Sequence, residues 1–193
     1  MSNELRADDQ HEQEPRGDDR DAEQRASPAF DLVHIPEGST VNRDELRTFL
    51  APLPDEAVHA LTLYGEARGE PIEGLIGVSC AIRNRVRDGK QRWGGDYRAV
   101  CLQKAQFSCW SPKGGEANHK TVLDAALLLL DKRPVPPLLE QCAWVALGVS
   151  KGALLDTVKG ANHYHTVSMK PRPQWAQSYV PITQKASHLF YKL

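Results

Sequence analysis

Long apolar segments are missing from this 193-residue chain. The longest apolar run, AALLLL at residues 125–130, is far shorter than the roughly 20 residues that a helix needs to cross a bilayer. The first 28 residues also lack the apolar core of a secretory signal. We therefore expect no membrane insertion, and we expect the chain to be made in the cytoplasm without a signal peptide.

Large apolar side chains are almost absent from residues 1–28, which hold nine acidic and four basic residues. Such a segment cannot bury enough surface to offset the entropy lost on ordering, so we predict a disordered acidic arm over residues 1–28. Residues 29–50 resemble a linker that ends in a short helix packed on the domain. One folded domain is then expected over residues 51–193.

The net charge of −1 hides a basic folded part, because residues 29–193 retain 16 of the 25 acids and 20 of the 24 bases. A mildly basic surface suits a polyanionic partner, and it is also ordinary for an enzyme. The basic residues are scattered, and no nucleic-acid-binding motif accompanies them, so we expect no nucleic-acid partner. We expect the chain to be a monomer.

Metal-type and redox-type cysteine spacings are also absent, since none of the four cysteines forms a CxxC pair. Each one lies among apolar neighbours, which favours buried, reduced thiols in a chain made in the cytoplasm. One pair could still oxidise outside the cell. The four residues are Cys80, Cys101, Cys109 and Cys142.

Apolar periodicity predicts a mainly helical α+β domain with a small β element. Helices are expected over 54–69, with Asp55 as the cap, and over 71–89, 119–132 and 137–150, with a short helix after Gly95. The segment KAQFSCW at 104–110 is expected to be a strand or an extended loop. The β-branched and aromatic tail after residue 160 predicts a late hairpin.

Glu66, in LTLYGEARGE at residues 61–70, is expected in the last turn of the first long helix. The negative end of the helix dipole and apolar neighbours both disfavour a charged carboxylate there. A general acid for glycosidic cleavage needs such an environment near neutral pH. The local chemistry alone leaves two interpretations open, a solvated helix end or a general acid.

Several motifs in a fixed order resemble the cell-wall hydrolases of the SleB/CwlJ type, which are spore-cortex-lytic enzymes with phage and bacterial relatives. The motifs are YGEARGEPIEGLIGVSCAIRNRV, then AQFSCW, then KGANHYHT and a terminal SHLFY. The resemblance covers residues 55–193 and implies a fold similar to lysozyme and the lytic transglycosylases. It implies that Glu66 is the catalytic acid/base, and that Tyr164 and His165 belong to an aromatic sugar-cleft hairpin.

A cleft wall is expected at AQFSCW, because strand alternation would put Gln106 and Ser108 on one side. Phe107 and Trp110 would then be available to stack on sugar rings. A plain core strand is the alternative. We expect Trp175, Phe190 and Tyr191 to pack in the core or at the cleft rim.

Glu70 follows Glu66 by four residues, but Gly69 and Pro71 bracket it and are expected to end the helix. We therefore interpret Glu70 as a structural residue that bonds to Arg68 or to nearby backbone N–H groups. Asn84 is expected either to orient the loop that holds Glu66 or to be a solvated helix residue. Glu73 and Asp96 are the remaining candidates for a second acid.

A lone carboxylate favours a lytic transglycosylase, which cleaves the MurNAc–GlcNAc bond of peptidoglycan and needs one acid/base and no cofactor. A hydrolytic muramidase would normally use a second carboxylate. A zinc-dependent amidase would need His163, His165 and His188 as ligands; we expect no metal. A non-catalytic wall-binding protein is the remaining alternative. Without a signal peptide, we expect a phage endolysin released for cell lysis, or a virion-associated enzyme.

Overall fold

The computed structural model describes residues 42–90 and 92–193, which belong to the compact unit Pro36–Leu193. The predicted acidic arm and residues 29–41 of the predicted linker lie outside the described residues. The described part contains six α-helices: α1 (Arg43–Leu50), α2 (Asp55–Ala67), α3 (Ile72–Val86), α4 (Tyr97–Cys101), α5 (Glu116–Leu130) and α6 (Pro137–Ser150). The predicted mainly helical fold is confirmed.

Helix α2 lies at the centre of the domain and packs against α3, α4, α5 and α6. Eight of its 13 residues are buried, and burial on every side is typical of a central helix. Its N-cap is Pro54 in an extended conformation, so the predicted cap at Asp55 is wrong by one residue. Asp55 instead begins the helix and pairs with Arg98 of α4 at 2.9 Å.

Helix α1 begins with a capping box in which Asn42 and Glu45 exchange side-chain and backbone hydrogen bonds. Such a box satisfies the first free N–H groups of a helix. Leu46 and Leu50 are buried, and the guanidinium of Arg43 donates to the carbonyl oxygen of Leu102 at 2.5 Å. The compact unit therefore extends N-terminal of residue 51.

The C-terminal part contributes one antiparallel sheet in the order β1-β3-β2. Its strands are β1 (His163–Thr166), β2 (Thr183–Lys185) and β3 (His188–Tyr191), and β2 and β3 form the hairpin that the tail predicted. Tyr164 pairs with Phe190, and Thr166 pairs with His188. Since paired residues share a face, Tyr164 and His188 lie on one side of the sheet, with His163 and His165 on the other.

The segment 104–110 is not a strand. It forms a turn through residue 106 and then a short 3-10 helix, Ser108–Trp110, followed by a second one, Pro112–Gly114. Strand alternation therefore does not apply to Gln106 and Ser108.

All four cysteines are buried and none forms a disulfide, as expected for reduced thiols. Burial raises the pKa of Cys142 to about 12. No helix among residues 42–90 and 92–193 is long and apolar enough to cross a membrane.

Candidate active site

Glu66 is half-buried in the last turn of α2, where its carboxylate meets the first 3-10 helix. Its Oε1 accepts a hydrogen bond from the backbone N–H of Cys109 at 3.0 Å and one from the hydroxyl of Ser108 at 3.2 Å. Among the described residues, Oε2 receives no hydrogen bond. The protein therefore anchors the Glu66 carboxylate through Oε1.

Glycine at position 65 allows the 3-10 helix to approach this carboxylate. A Cβ on Gly65 would lie 2.4 Å from the Cβ of Cys109, far closer than two carbon atoms tolerate. Two further bonds hold the segment, because the indole N–H of Trp110 donates to Thr62 at 2.9 Å and Nδ1 of His119 lies 2.9 Å from the carbonyl oxygen of Cys109.

The aromatic residues of AQFSCW are core residues. Phe107 is 2 % exposed and Trp110 is 3 % exposed, so neither ring is available to stack on a sugar. Gln106 accepts a hydrogen bond from the Nη1 of Arg85 at 3.1 Å, which turns its side chain toward α3. Only Ser108, of the four predicted substrate contacts in this segment, touches Glu66.

Tyr164 supplies an aromatic face from the sheet. Its ring makes an edge contact with His188, with the ring centroids 5.2 Å apart, and its hydroxyl is buried without a hydrogen-bond partner among the described residues. Burial raises the pKa of the Tyr164 phenol well above its usual value, and the charge of Glu66 adds to this increase. Tyr164 therefore presents a neutral hydroxyl near Glu66.

His165 points away from this face. It is 5 % exposed, its Nε2 lies 2.8 Å from the hydroxyl of Tyr191, and its Nδ1 lies 2.8 Å from the carbonyl oxygen of Thr166. Both ring nitrogens are thus used inside the protein. Alternation along β1 sends His165 into the core against Trp175 and Tyr191, on the face opposite Tyr164, and its predicted substrate contact stays a prediction.

The histidines of the zinc hypothesis lie on two faces of the sheet. His163 and His165 both contact Trp175, whereas His188 contacts Tyr164 on the opposite side. Three rings on two faces cannot share one ion, so His163, His165 and His188 do not form a zinc site together. Within the described residues no cluster of three or more His, Cys, Asp or Glu could hold a metal.

Both carboxylate oxygens of Glu70 accept hydrogen bonds from the protein. One of its oxygens accepts the hydroxyl of Ser187, and the other accepts the backbone N–H of Ser187 at 3.1 Å, at the turn between β2 and β3. Nδ1 of His188 lies 3.7 Å from the same carboxylate, beyond hydrogen-bond distance. Burial raises the pKa of Glu70, but the two bonds from Ser187 and the nearby His188 outweigh burial, and the net pKa is lowered.

The two other predicted support residues have different partners from those expected. Arg68 donates to the side chain of Asn118 on α5 and not to Glu70. Asn84 donates to the carbonyl oxygen of Ala161 at 2.9 Å and to Asp156 at 3.2 Å, so it orients the segment before β1 and not the loop at Glu66. Both differences arise because the partners are distant in sequence.

Residues 69–191 match the model of the cell wall hydrolase family, which is more than half of the chain. The chain belongs to the cell wall hydrolase family. Among solved structures, it is similar to the catalytic domain of the germination-specific lytic transglycosylase SleB from Bacillus anthracis, at 23 % identity and a TM-score of 0.52 over 72 % of this chain and 93 % of that one. It is also similar to the SleB catalytic domain from Bacillus cereus, at 21 % identity and a TM-score of 0.51 over 72 % of this chain and 89 % of that one. No curated protein matches the chain.

Membership of this family makes the chain a peptidoglycan-degrading enzyme with the lysozyme-like fold of the two SleB domains. The family match begins at residue 69, so it includes Glu70 and the sheet but not Glu66. The role of this wall hydrolase's Glu66 therefore depends on the geometry around it.

Two groups near Glu66, the backbone N–H of Cys109 and the side chain of Arg85, could not be recognised as site residues from the sequence. The backbone N–H of Cys109 carries no side-chain signal, so only the fold reveals it. Arg85 stands in the quoted Asn-Arg-Val segment, but a basic residue in a basic helix is normally solvated. Its burial, at 5 % exposed, could not be predicted from that helix alone.

Proposed function

We propose that this wall hydrolase is a lytic transglycosylase that cleaves the MurNAc–GlcNAc bond of peptidoglycan, with Glu66 as the acid and then the base. The observation that carries the proposal is the asymmetry of the Glu66 carboxylate. Oε1 is held by Cys109 and Ser108, and Oε2 receives no hydrogen bond from the described residues. A proton on Oε2 is therefore free to be given to a bound saccharide.

The proposed reaction returns Glu66 to its starting state. Oε2–H gives its proton to the glycosidic oxygen as the bond from that oxygen to C1 of the muramic acid breaks, and the GlcNAc end leaves as an alcohol. The Glu66 carboxylate then takes the proton of the C6 hydroxyl as the C6 oxygen bonds to C1. The product is a 1,6-anhydro ring, and no water is consumed.

Within residues 42–90 and 92–193, the three candidates for a second acid are bonded elsewhere or make no bond to Glu66, which supports this outcome over a muramidase. A water-using glycosidase normally needs another carboxylate facing the same bond. Both oxygens of Glu70 are bonded to Ser187, and Asp96 caps α4 by accepting the N–H of Ala99 at 2.6 Å. Glu73 is exposed in the first turn of α3 and has no bond to Glu66.

Ser108 and Tyr164 are the proposed saccharide contacts. The Ser108 hydroxyl is exposed and already reaches Glu66. The hydroxyl of Tyr164 is buried without a partner in the described residues, and it would bond to a polar group of the sugar once binding uncovers it. A buried hydroxyl without a partner costs about 1–3 kcal/mol, which a bound ligand would recover. The proposed reaction needs no cofactor.

The test uses purified sacculi, wild-type protein and Glu66→Gln, with the products analysed by mass spectrometry. We expect the wild type to release 1,6-anhydromuramic ends and Glu66→Gln to release none, while the variant melts near the wild-type temperature. Reducing muramic ends without anhydro ends would overturn the transglycosylase assignment and support a muramidase. Equal clearing by both proteins would remove Glu66 from the mechanism, and no clearing by the wild type would support a wall-binding protein.

The phage hypothesis stays a prediction. If the enzyme is carried into the host cell by particles, the chain should be found by mass spectrometry in purified virions. If it is an endolysin, it should be found only in lysates.

A further inference from the structure

Arg85 is a buried cation without an acidic partner. It lies in the last turn of α3 and is 5 % exposed. Its Nε donates to the carbonyl oxygen of Asn162 at 2.6 Å, and its Nη1 donates to the amide oxygen of Gln106 at 3.1 Å. Within residues 42–90 and 92–193, no carboxylate forms an ion pair with it. A charge buried among neutral partners is costly, so fold stability alone is a weak reason for its presence.

The two partners of Arg85 belong to the two sides of the active site. Asn162 immediately precedes β1, which carries Tyr164. Gln106 ends the turn that precedes Ser108 and Cys109, and the guanidinium lies 5.1 Å from the centre of the ring of the next residue, Phe107. Arg85 thus connects two parts of the site. One is the 106–109 segment, which donates hydrogen bonds to Glu66, and the other is the start of β1, which carries Tyr164.

The charge of Glu66 contributes to the pKa shifts of five side chains on other elements: Arg85 of α3, Cys101 of α4, Cys109 of the 3-10 helix, and Tyr164 and His188 of the sheet. Burial raises the pKa of Cys101 to about 12, and it also raises the pKa of Cys109 and of Tyr164. Burial lowers the pKa of His188 below its usual value of 6.5. At neutral pH, Arg85 is therefore the one charged member of this set.

We propose that Arg85 is a positioning residue for Glu66, which holds the 106–109 segment in place and stabilises the carboxylate that forms when Glu66 gives up its proton. The inference rests on the proposed role of Glu66 as the acid. A fixed charge in a partly dry site costs no reorganisation during the reaction, and it acts on the first step. It does not require direct contact between Arg85 and the substrate.

The test compares Arg85→Met and Arg85→Gln, which remove the charge, with Arg85→Lys, which keeps it. We expect the neutral variants to lose at least about tenfold in kcat with little change in KM. We also expect the alkaline limb of their pH–rate profile to move to higher pH, because removing a nearby cation disfavours the ionised form of a carboxyl group. Arg85→Lys should keep the limb at its wild-type position.

Two outcomes would overturn the inference. One is a neutral variant whose kcat falls only in proportion to its folded fraction, with the alkaline limb unmoved. The other is a limb that moves equally in Arg85→Lys. If both neutral variants fail to fold, Gln106→Met serves instead, because it keeps the charge of Arg85 and removes the bond to the 106–109 segment. It should lower kcat and leave the alkaline limb of the pH–rate profile at its wild-type position. A wild-type kcat in Gln106→Met would refute the positioning role.

Failure of the proposed function is distinguishable from failure of this inference. If the wild type released reducing muramic ends, the reaction would be hydrolysis and not transglycosylation. The shift of the alkaline limb in Arg85→Met could still be measured in that case. Equal activity of wild type and Glu66→Gln would remove the acid on which the inference depends.

Discussion

Glu66 and Glu70 stand four residues apart in one motif, yet their carboxylates are held in opposite ways. Glu66 uses one oxygen for two bonds from the 3-10 helix and leaves the other without a protein donor in the described residues. Glu70 uses both oxygens for the turn between β2 and β3, 117 residues away in sequence. A carboxylate with a spare oxygen suits chemistry, and one with both oxygens occupied suits structure.

The difference comes from where α2 ends. The helix stops at Ala67, and the backbone N–H of Glu70 bonds to the carbonyl oxygen of Ala67 at 2.9 Å in the turn that follows. Glu70 therefore does not lie one helical turn above Glu66, and it meets the sheet instead. The charges of both carboxylates contribute to the pKa of His188, so Glu66 and Glu70 lie near the same histidine.

The largest expected effect is on catalysis. Glu66→Gln should lower the rate of sacculus clearing by about 10²–10⁴-fold, the usual contribution of a general acid, with little change in melting temperature. Glu70→Gln should lower the melting temperature and keep most of its activity when assayed well below that temperature. Clearing assays and thermal melts on both variants check this. The reverse pattern would exchange the two roles.

The two glycines of the motif should differ just as strongly. Alanine at position 65 would push against Cβ and Sγ of Cys109 and against Val122, so Gly65→Ala should cost about 3 kcal/mol and displace the Cys109 N–H from Glu66. A Cβ at Gly69 would meet nothing within 4 Å, so Gly69→Ala serves as the matched control and should be neutral. Chemical denaturation and clearing assays measure both effects, and equal stabilities would contradict the close approach.

Much of the fold was accessible from the sequence, because apolar periodicity and Pro and Gly punctuation are local signals. The predicted helix over 137–150 agrees with α6, and the helix end before Glu70 was predicted from Gly69 and Pro71. Of the two alternatives for residues 104–110, the strand is wrong, because a segment this short has no periodicity that separates a strand from a turn followed by a 3-10 helix. Its geometry is set by contacts with Thr62 and His119, which periodicity does not report.

The site could be predicted from the sequence only in part, because sequence signals are local and the contacts of the site join residues that are distant in sequence. Glu66 could be singled out from its motif and helix position. The donors to Glu66, the Ser187 partner of Glu70 and the burial of Arg85 all depend on elements 20 or more residues away. His165 and Tyr164 show the limit well, since alternation separates their faces but does not say which face meets the cleft.

The free energy of unfolding should depend on the ionised form of Glu70 at acidic pH. The pKa of Glu70 is lowered from 4.5 in the folded protein, so its ionised form stabilises the fold above about pH 4.5, and this contribution is lost as the pH falls through the lowered value. Glu70→Gln should therefore be less stable by about 2 kcal/mol at pH 7, and the difference from wild type should shrink as the pH falls below 4.5. Burial lowers the pKa of His188 from 6.5, and the charge of Glu70 opposes this decrease.

Denaturation from pH 3 to 7 measures this difference, and Ser187→Ala is the matched control because it removes one of the two donors. It should lose part of the same contribution. A wild-type and Glu70→Gln difference that stays constant down to pH 3 would show that the ionised carboxylate does not stabilise the turn.

The smallest effect should come from two tyrosines on neighbouring strands. Tyr164 has a buried hydroxyl without a partner in the described part, whereas the hydroxyl of Tyr191 lies 2.8 Å from Nε2 of His165. Tyr191→Phe should cost about 1 kcal/mol of stability and change activity only through folding, since it breaks an internal bond. Tyr164→Phe should leave stability unchanged or slightly raised, because it removes an unsatisfied polar atom, and should lower the clearing rate. Denaturation and clearing assays on the pair separate a hydroxyl kept for the substrate from one kept for the fold. A stability loss in Tyr164→Phe as large as in Tyr191→Phe would place both hydroxyls in the structure and leave Ser108 as the one proposed saccharide contact beside Glu66.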